Sequence, residues 1–226
     1  WTQEVFLQCI ENACQDINGD GTADADDQYG FCTVNYWGPM IPWVIASDIT
    51  FLEYESDGAP YLAMNNERSV QLLINLVEIF HGKSTHNYSA SVEACTNAFI
   101  NGKSLFSGYQ RVSSLELFRD MDIEFGILPY PKMDEAQENY VSLGNVYAMA
   151  GLCVPLSADP ASLDNIGLFI EAMTALSHVK SMPEAYESTL LARETRDEES
   201  VEMLQLITES LTLDFGYLYD IGGIGS

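Results

Sequence analysis

Apolar residues recur at helical spacing in some stretches of this chain and alternate with polar ones in others. Val5, Phe6, Cys9, Ile10 and Ala13 fall at helical spacing between Trp1 and Cys14, which predicts a helix leading into an acidic loop. Tyr29 to Asn35 alternates and is partly β-branched, so it predicts a strand. Gly38, Pro39 and Pro42 then interrupt regular structure, with Trp37 and Trp43 inside that stretch. Phe51 to Tyr61 predicts a short hairpin with Ser56-Asp57-Gly58 as its turn. Asn66 to His81 predicts an amphipathic helix with Val70, Leu73, Ile74, Val77 and Phe80 facing inward and Gly82 as its stop.

Ser91 to Ile100 predicts another helix, followed by a turn at Asn101-Gly102-Lys103 and a new element starting at Leu105-Phe106. Ser113 to Arg119 reads as a short helix, and Ile123 to Leu128 as a strand that stops at Pro129-Tyr130-Pro131. Lys132 to Asn139 is polar loop, and Tyr140 to Val154 holds strand material around Gly144-Asn145. Asp159 is an N-cap and Pro160 the first residue of a helix whose buried stripe is Ile166, Phe169, Ile170, Met173 and Leu176. Glu184 to Glu194 and Asp197 to Leu213 predict two further helices, the second with Val201, Leu204 and Ile207 as its inner seam. Strands and helices alternate along the chain, which predicts the α/β class.

Composition narrows the function. The 226 residues hold 34 Asp and Glu against 9 Lys and Arg, a net charge of -25. That field repels a phosphate backbone, so nucleic acid is excluded as a partner. A neutral ligand or a cation is easier to hold than an anion, although acidity also serves solubility alone. No run of about 18 apolar residues appears, so no segment is expected to span a membrane. The chain begins Trp1-Thr2-Gln3 and ends Ile221 to Ser226, so a targeting signal is expected upstream of it. Five cysteines (Cys9, Cys14, Cys32, Cys95, Cys153) at sparse spacing, with no CxxC, argue against a disulfide scaffold or a zinc site; one bridge stays open.

The most specific motif is Asp16-Ile17-Asn18-Gly19-Asp20-Gly21-Thr22-Ala23-Asp24-Ala25-Asp26-Asp27. It fits the twelve-residue calcium-loop pattern. Asp16, Asn18 and Asp20 would offer side-chain oxygens, Thr22 its carbonyl, Asp24 a direct or water-mediated contact, and Asp27 the closing carboxylate. Five carboxylates in so short a span repel one another unless a cation sits between them, and oxygen-only donors favour calcium. The expected role is structural. The alternative is an Asx-rich turn without an ion.

Several segments, taken in order, resemble the family 1 extracellular solute-binding proteins of bacterial ABC importers. The residues that carry the resemblance are Trp1 to Phe6, Asp16 to Phe31 with its Asp27-Gln28-Tyr29-Gly30-Phe31 run, Phe99-Ile100-Asn101-Gly102-Lys103-Ser104-Leu105-Phe106, Phe125 to Lys132, Cys153-Val154-Pro155 and Asp159-Pro160-Ala161. The resemblance implies a type II periplasmic-binding-protein-like fold, mostly the second lobe plus a remnant of the first. Residues 1–145 would be the first part of the second lobe. Residues 146–182 would be the hinge and first-lobe remnant, and 183–226 the return to the second lobe. Exposed apolar surface is expected on the remnant. The resemblance also implies capture of a neutral carbohydrate by lobe closure and delivery to permease subunits. It implies a monomer at the outer cell surface of a Gram-positive bacterium, tied to the membrane only through an upstream lipid anchor.

Sugar binding needs aromatic faces and polar groups around hydroxyls. Trp37 and Tyr36 lie in the broken loop after a strand, where such a platform would sit; the alternative is a structural Trp. Trp43 reads as core. Tyr109 and Arg111, after the Asn-Gly-Lys turn, are candidate ligand contacts. So are Ser142, Gly144 and Asn145, which the resemblance puts on a strand beside the cleft. His81, His86 and His178 are isolated, so no zinc set or catalytic triad is expected and the chain is not read as an enzyme. Two other classes stay open: a calcium-stabilised adhesion or scaffold module, and a secreted glycoside hydrolase.

Overall fold

The structure is a computed structural model that describes residues 1–22, 24, 26–88, 91–108, 110–118, 121–145, 152–184 and 198–223. It is of mixed α/β architecture. Helix α1 (Gln3–Ala13) starts at Thr2, whose hydroxyl accepts the Val5 N–H. Strand β1 (Tyr29–Val34) is buried along its whole length. Trp37 leads into a 3₁₀ turn and then into α2 (Ile41–Ala46), which buries Trp43. The hairpin β2 (Leu52–Tyr54) and β3 (Pro60–Leu62) turns at Gly58, which sits at φ 84. Helix α3 (Glu67–His81) is capped by the Asn66 side chain. It leads to β4 (Thr85–Tyr88), α4 (Val92–Ile100) and β5 (Ser104–Ser107).

Three parallel strands form the central sheet in the order β4-β1-β5. Phe31 points to one face, where it meets Phe6 of α1, Trp43 of α2 and Phe80 of α3 edge-on at ring separations of 5.3, 6.0 and 6.1 Å. Cys32 and Val34 point to the other face and pack with Cys95 of α4. Helices therefore cover both faces, as a parallel sheet requires. The chain passes from β1 through α3 to β4 on one side. It then returns through α4 to β5 on the other side.

A buried polar link seats the helices. The Gln3 amide donates to Ser47 Oγ at 2.9 Å and accepts from Asn75 of α3 at 2.8 Å. Every polar atom of Gln3 that enters the core is thus paired, which removes the desolvation penalty.

Beyond the main sheet, β6 (Ser142–Leu143) pairs in parallel with β7 (Leu211–Thr212). Between them in sequence lie α5 (Leu163–Leu176), which continues into a π-helical turn at Ser177–Ser181, and α6 (Glu198–Glu209). The short helix α7 (Phe215–Leu218) follows β7.

Three sequence expectations are corrected here. Helix α3 carries two apolar stripes, and the sheet takes Leu72, Leu76, Ile79 and Phe80. Val70, Leu73, Ile74 and Val77 are exposed. The Asn75–Gln3 bond and the Asn66 cap fix that rotation, which periodicity alone leaves open. Ile123 to Leu128 forms no strand: the Ile127 N–H donates to Ser200 Oγ rather than to a ladder. In α5 none of the stripe residues is buried: Phe169, Met173 and Leu176 are exposed, and Ile166 and Ile170 are half-buried. Of the remnant at 146–182 on which apolar exposure is expected, residues 152–182 are described, and there Leu152, Leu156, Leu168, Phe169, Met173, Leu176 and Val179 are open. The expected Glu184–Glu194 helix lies almost wholly outside the described residues.

Candidate functional site

In an open parallel sheet, ligands bind beyond the carboxyl ends of the strands, where the strand order reverses. Here that point lies between β1 and β5. Strand β1 delivers Tyr36 and Trp37 to it, and β5 delivers Gly108, Gln110 and Arg111. The two loops are drawn together by the Gly108 N–H, which donates to the Cys32 carbonyl at 3.1 Å. A Cβ at 108 would stand 2.6 Å from the edge of the Phe31 ring, so glycine is what lets the β5 loop come this close.

Trp37 is 38% exposed, whereas Trp43 is 2% exposed and belongs to the core. Among the described residues the Trp37 indole meets Tyr36 edge-on at 6.5 Å and Tyr217 of α7 at 6.4 Å. Tyr217 was not apparent from the sequence. Its position depends on Asp214, which is buried and caps α7. One Asp214 oxygen accepts the Tyr217 N–H at 3.0 Å and the other accepts the Phe51 N–H at 2.8 Å. The motif Asp214-Phe215-Gly216-Tyr217 directly after a strand was the available signal, an N-cap residue opening a helix. Gln110 was likewise missed. Its amide donates to Ser107 Oγ at 2.9 Å and to Thr96 Oγ1 at 3.2 Å, fixing the base of the β5 loop.

The other candidates divide. Arg111 is exposed at the loop, with its N–H on Ser114 Oγ. Tyr109 lies outside the described residues. Ser142 is buried in the β6–β7 pair with its hydroxyl 2.9 Å from that of Ser210. The Gly144 N–H donates to the Thr212 carbonyl at 2.8 Å, and Asn145 follows it half-buried. Because β7 runs straight on to α7, this pair and the Trp37–Tyr217 contact share one stretch of chain, 211–218.

The acidic loop folds on its own carboxylates. Gly19 and Gly21, at φ 73 and 76, turn their N–H groups onto the two oxygens of Asp16 at 2.6 and 3.0 Å. Asp20 Oδ1 accepts from Thr22, and Asn18 Oδ1 accepts from Asp20. Asp27 is 3% exposed and closes the loop, taking the N–H groups of Ile17 and Asp24, both at 3.1 Å. Lys103 stands 3.5 Å from Asp26, a carboxylate the ligand pattern does not use. Among the described residues no three acidic, imidazole or thiol groups converge as a ready-made metal cluster. The donor set is nonetheless all oxygen, and each oxygen bound to one N–H keeps a second lone pair. In donor chemistry the loop therefore fits a calcium ion.

The loop's charge reaches the sheet. Burial raises the Tyr29 phenol pKa, and Asp27 adds to that shift. The His86 ring lies tilted between those of Tyr29 and Tyr88 at 4.8 and 4.4 Å, and its pKa is pushed down by burial against the opposing pull of Asp24. No protein-family model and no curated protein matches this chain. Among the described residues no helix is long and apolar enough to cross a membrane.

Proposed function

We propose that this chain is the greater part of the second lobe of an extracellular solute-binding subunit, which captures a neutral carbohydrate for an ABC importer. The observation that carries this reading is the half-open Trp37, flanked by Tyr36 and Tyr217, at the carboxyl edge where the strand order reverses. A pyranose presents an apolar face to such a ring and hydroxyls to its surroundings. Arg111 and Asn145 are the polar groups this reading puts beside it, with Tyr109 on the same loop as Arg111. The net charge of -25 favours a neutral ligand over an anionic one.

Two further features support the finer architecture, a type II binding-protein fold. The parallel β6–β7 pair brackets residues 144–210, as crossing strands between lobes would. The stripe of α5, largely exposed among the described residues, suits a first-lobe remnant that packs against parts of a longer protein. Capture is then passive: closure holds the solute and no bond is broken. The protein works as a monomer at the cell surface, held by an upstream lipid anchor and unloading to the permease. Calorimetry of the full chain against a panel of neutral oligosaccharides tests this. Saturable binding with the sugar recovered unchanged is the expected result. Cleaved sugar, or no heat across the panel, overturns it.

In the same reading the Asp16–Asp27 loop holds calcium through Asp16, Asn18, Asp20, the Thr22 carbonyl, Asp24 and Asp27. The ion supplies charge neutralisation and takes no part in ligand chemistry. With an extracellular-type Kd of about 10⁻⁴ M, 1 mM calcium stabilises by roughly 1.4 kcal/mol. That corresponds to a Tm rise of about 3–6 °C over the chelated protein. Asp20→Asn, at an exposed position, is expected to abolish most of that rise while leaving the chelated Tm in place. An unchanged Tm on adding calcium, with no metal by elemental analysis, would leave the loop as a turn.

A further inference from the structure

On the sheet face away from the aromatic core, β1 and α4 bring two thiols into contact. Cys32 is 1% exposed and Cys95 is 2% exposed. Their sulfurs stand 3.2 Å apart, about 1.2 Å beyond a sulfur–sulfur bond. Cys32 Sγ also lies 3.4 Å from the Cys95 carbonyl, and Ser107 Oγ lies 3.8 Å from Cys95 Sγ. Two buried thiols serve well enough as small apolar groups. Direct sulfur-to-sulfur contact is more than packing needs, and it is the arrangement from which a bridge closes by a small side-chain rotation.

We propose that Cys32 and Cys95 form a disulfide that fastens α4 to the central strand β1. This rests on the geometry of the pair and is independent of what the protein binds. The oxidant is a small-molecule disulfide of the glutathione type. One cysteine thiolate attacks it and releases one glutathione thiol. The second cysteine loses its proton, attacks the mixed disulfide and expels the other glutathione. Two protein thiols thus give up two electrons and two protons, and one glutathione disulfide becomes two thiols. Both sulfurs are shielded once α4 is seated, so exchange takes place as the chain folds or when α4 opens. In the seated pair Cys32 is the more acidic. The Cys95 thiol hydrogen-bonds to it and lowers its pKa, helped by the Ser104 and Ser107 hydroxyls against burial, while the same contact and burial raise Cys95. The remaining cysteines are separate: Cys9 and Cys14 are half-buried and Cys153 is exposed.

The bridge closes a loop across a sequence separation of 63 residues. By the chain-entropy model a loop of that size raises Tm by about 10 °C relative to the reduced protein. The test is to refold the full chain in an oxidised–reduced glutathione buffer, alkylate the free thiols and map the peptides. The expected map has a Cys32–Cys95 linked peptide with Cys9, Cys14 and Cys153 alkylated, and a Tm that falls on reduction. Cys32→Ala and Cys95→Ala, where they fold, show no fall. Five alkylated cysteines from the glutathione buffer, or a bridge to Cys9, Cys14 or Cys153 instead, overturns the proposal.

Discussion

Gly30→Ala is expected to destabilise the protein by about 3 kcal/mol or more and to lower Tm by about 6–12 °C. A Cβ at position 30 would lie 2.1 Å from the Ile10 carbonyl oxygen and 2.3 Å from the Ile10 Cα. Those are backbone atoms of α1, so no side-chain rotation relieves the clash. Helix α1 would have to back away from β1, and it carries Phe6 and Ile10, which are buried against Phe31 and Trp43. Retreat would open the aromatic cluster and leave dispersion contacts unmade along the helix. The same shift would disturb the paired N–H groups of Gly30 and Phe31, which both reach the Ser84 carbonyl. Gly167→Ala is the matched control. It sits in α5 with nothing within 4 Å of the added carbon, and alanine is the better helix former. Thermal and urea melts of both variants decide the matter. A Gly30→Ala protein that melts with wild type would mean that α1 does not lie on β1 at this distance.

What could be read from the sequence follows from how local each feature is. The helix starting at Asn66 and ending at Gly82, the Ser91 start, and Asp159 with Pro160 rest on a few neighbouring residues. Each appears where expected, with the side chains of Asn66, Ser91 and Asp159 accepting backbone N–H groups. Strand β4 escaped notice because Thr85-His86-Asn87-Tyr88 has no apolar alternation. Pairing with β1 makes it a strand. The rotation of α3 escaped for a related reason. Two stripes satisfy the same period, and the choice between them is made by Gln3, more than sixty residues away in sequence. At the carboxyl edge of the sheet, the break after β1 was visible as Gly and Pro punctuation, at Gly38, Pro39 and Pro42. The order β4-β1-β5, which brings the loops after β1 and β5 to one edge, is a property of the assembled sheet. Tyr217 is the furthest case: it meets Trp37 across 180 positions, and nothing near either residue announces the other.

Trp37→Ala is expected to weaken carbohydrate binding by about 100-fold, close to 3 kcal/mol, while shifting Tm by only a few degrees. The size follows from truncating a single aromatic anchor at the centre of a contact. The small stability cost follows from its exposure, since an indole with over a third of its surface open contributes less to the core than a buried one. Trp43→Ala supplies the contrast. That ring is enclosed by Phe6, Phe31, Phe80 and Tyr130, so its loss should cost about 3–5 kcal/mol of stability whatever the ligand does. Trp37→Phe should recover part of the affinity, because a smaller ring still offers a stacking face. Asp214→Asn probes the support beneath the platform. It weakens the cap that holds Tyr217 against Trp37 and should lower affinity less than the loss of Trp37 itself. Calorimetry and melting curves on the four proteins separate the two roles. If Trp37→Ala binds the sugar as wild type does, or if its stability collapses as that of Trp43→Ala should, then Trp37 is a structural residue and the carboxyl edge of β1 and β5 is not where the solute sits.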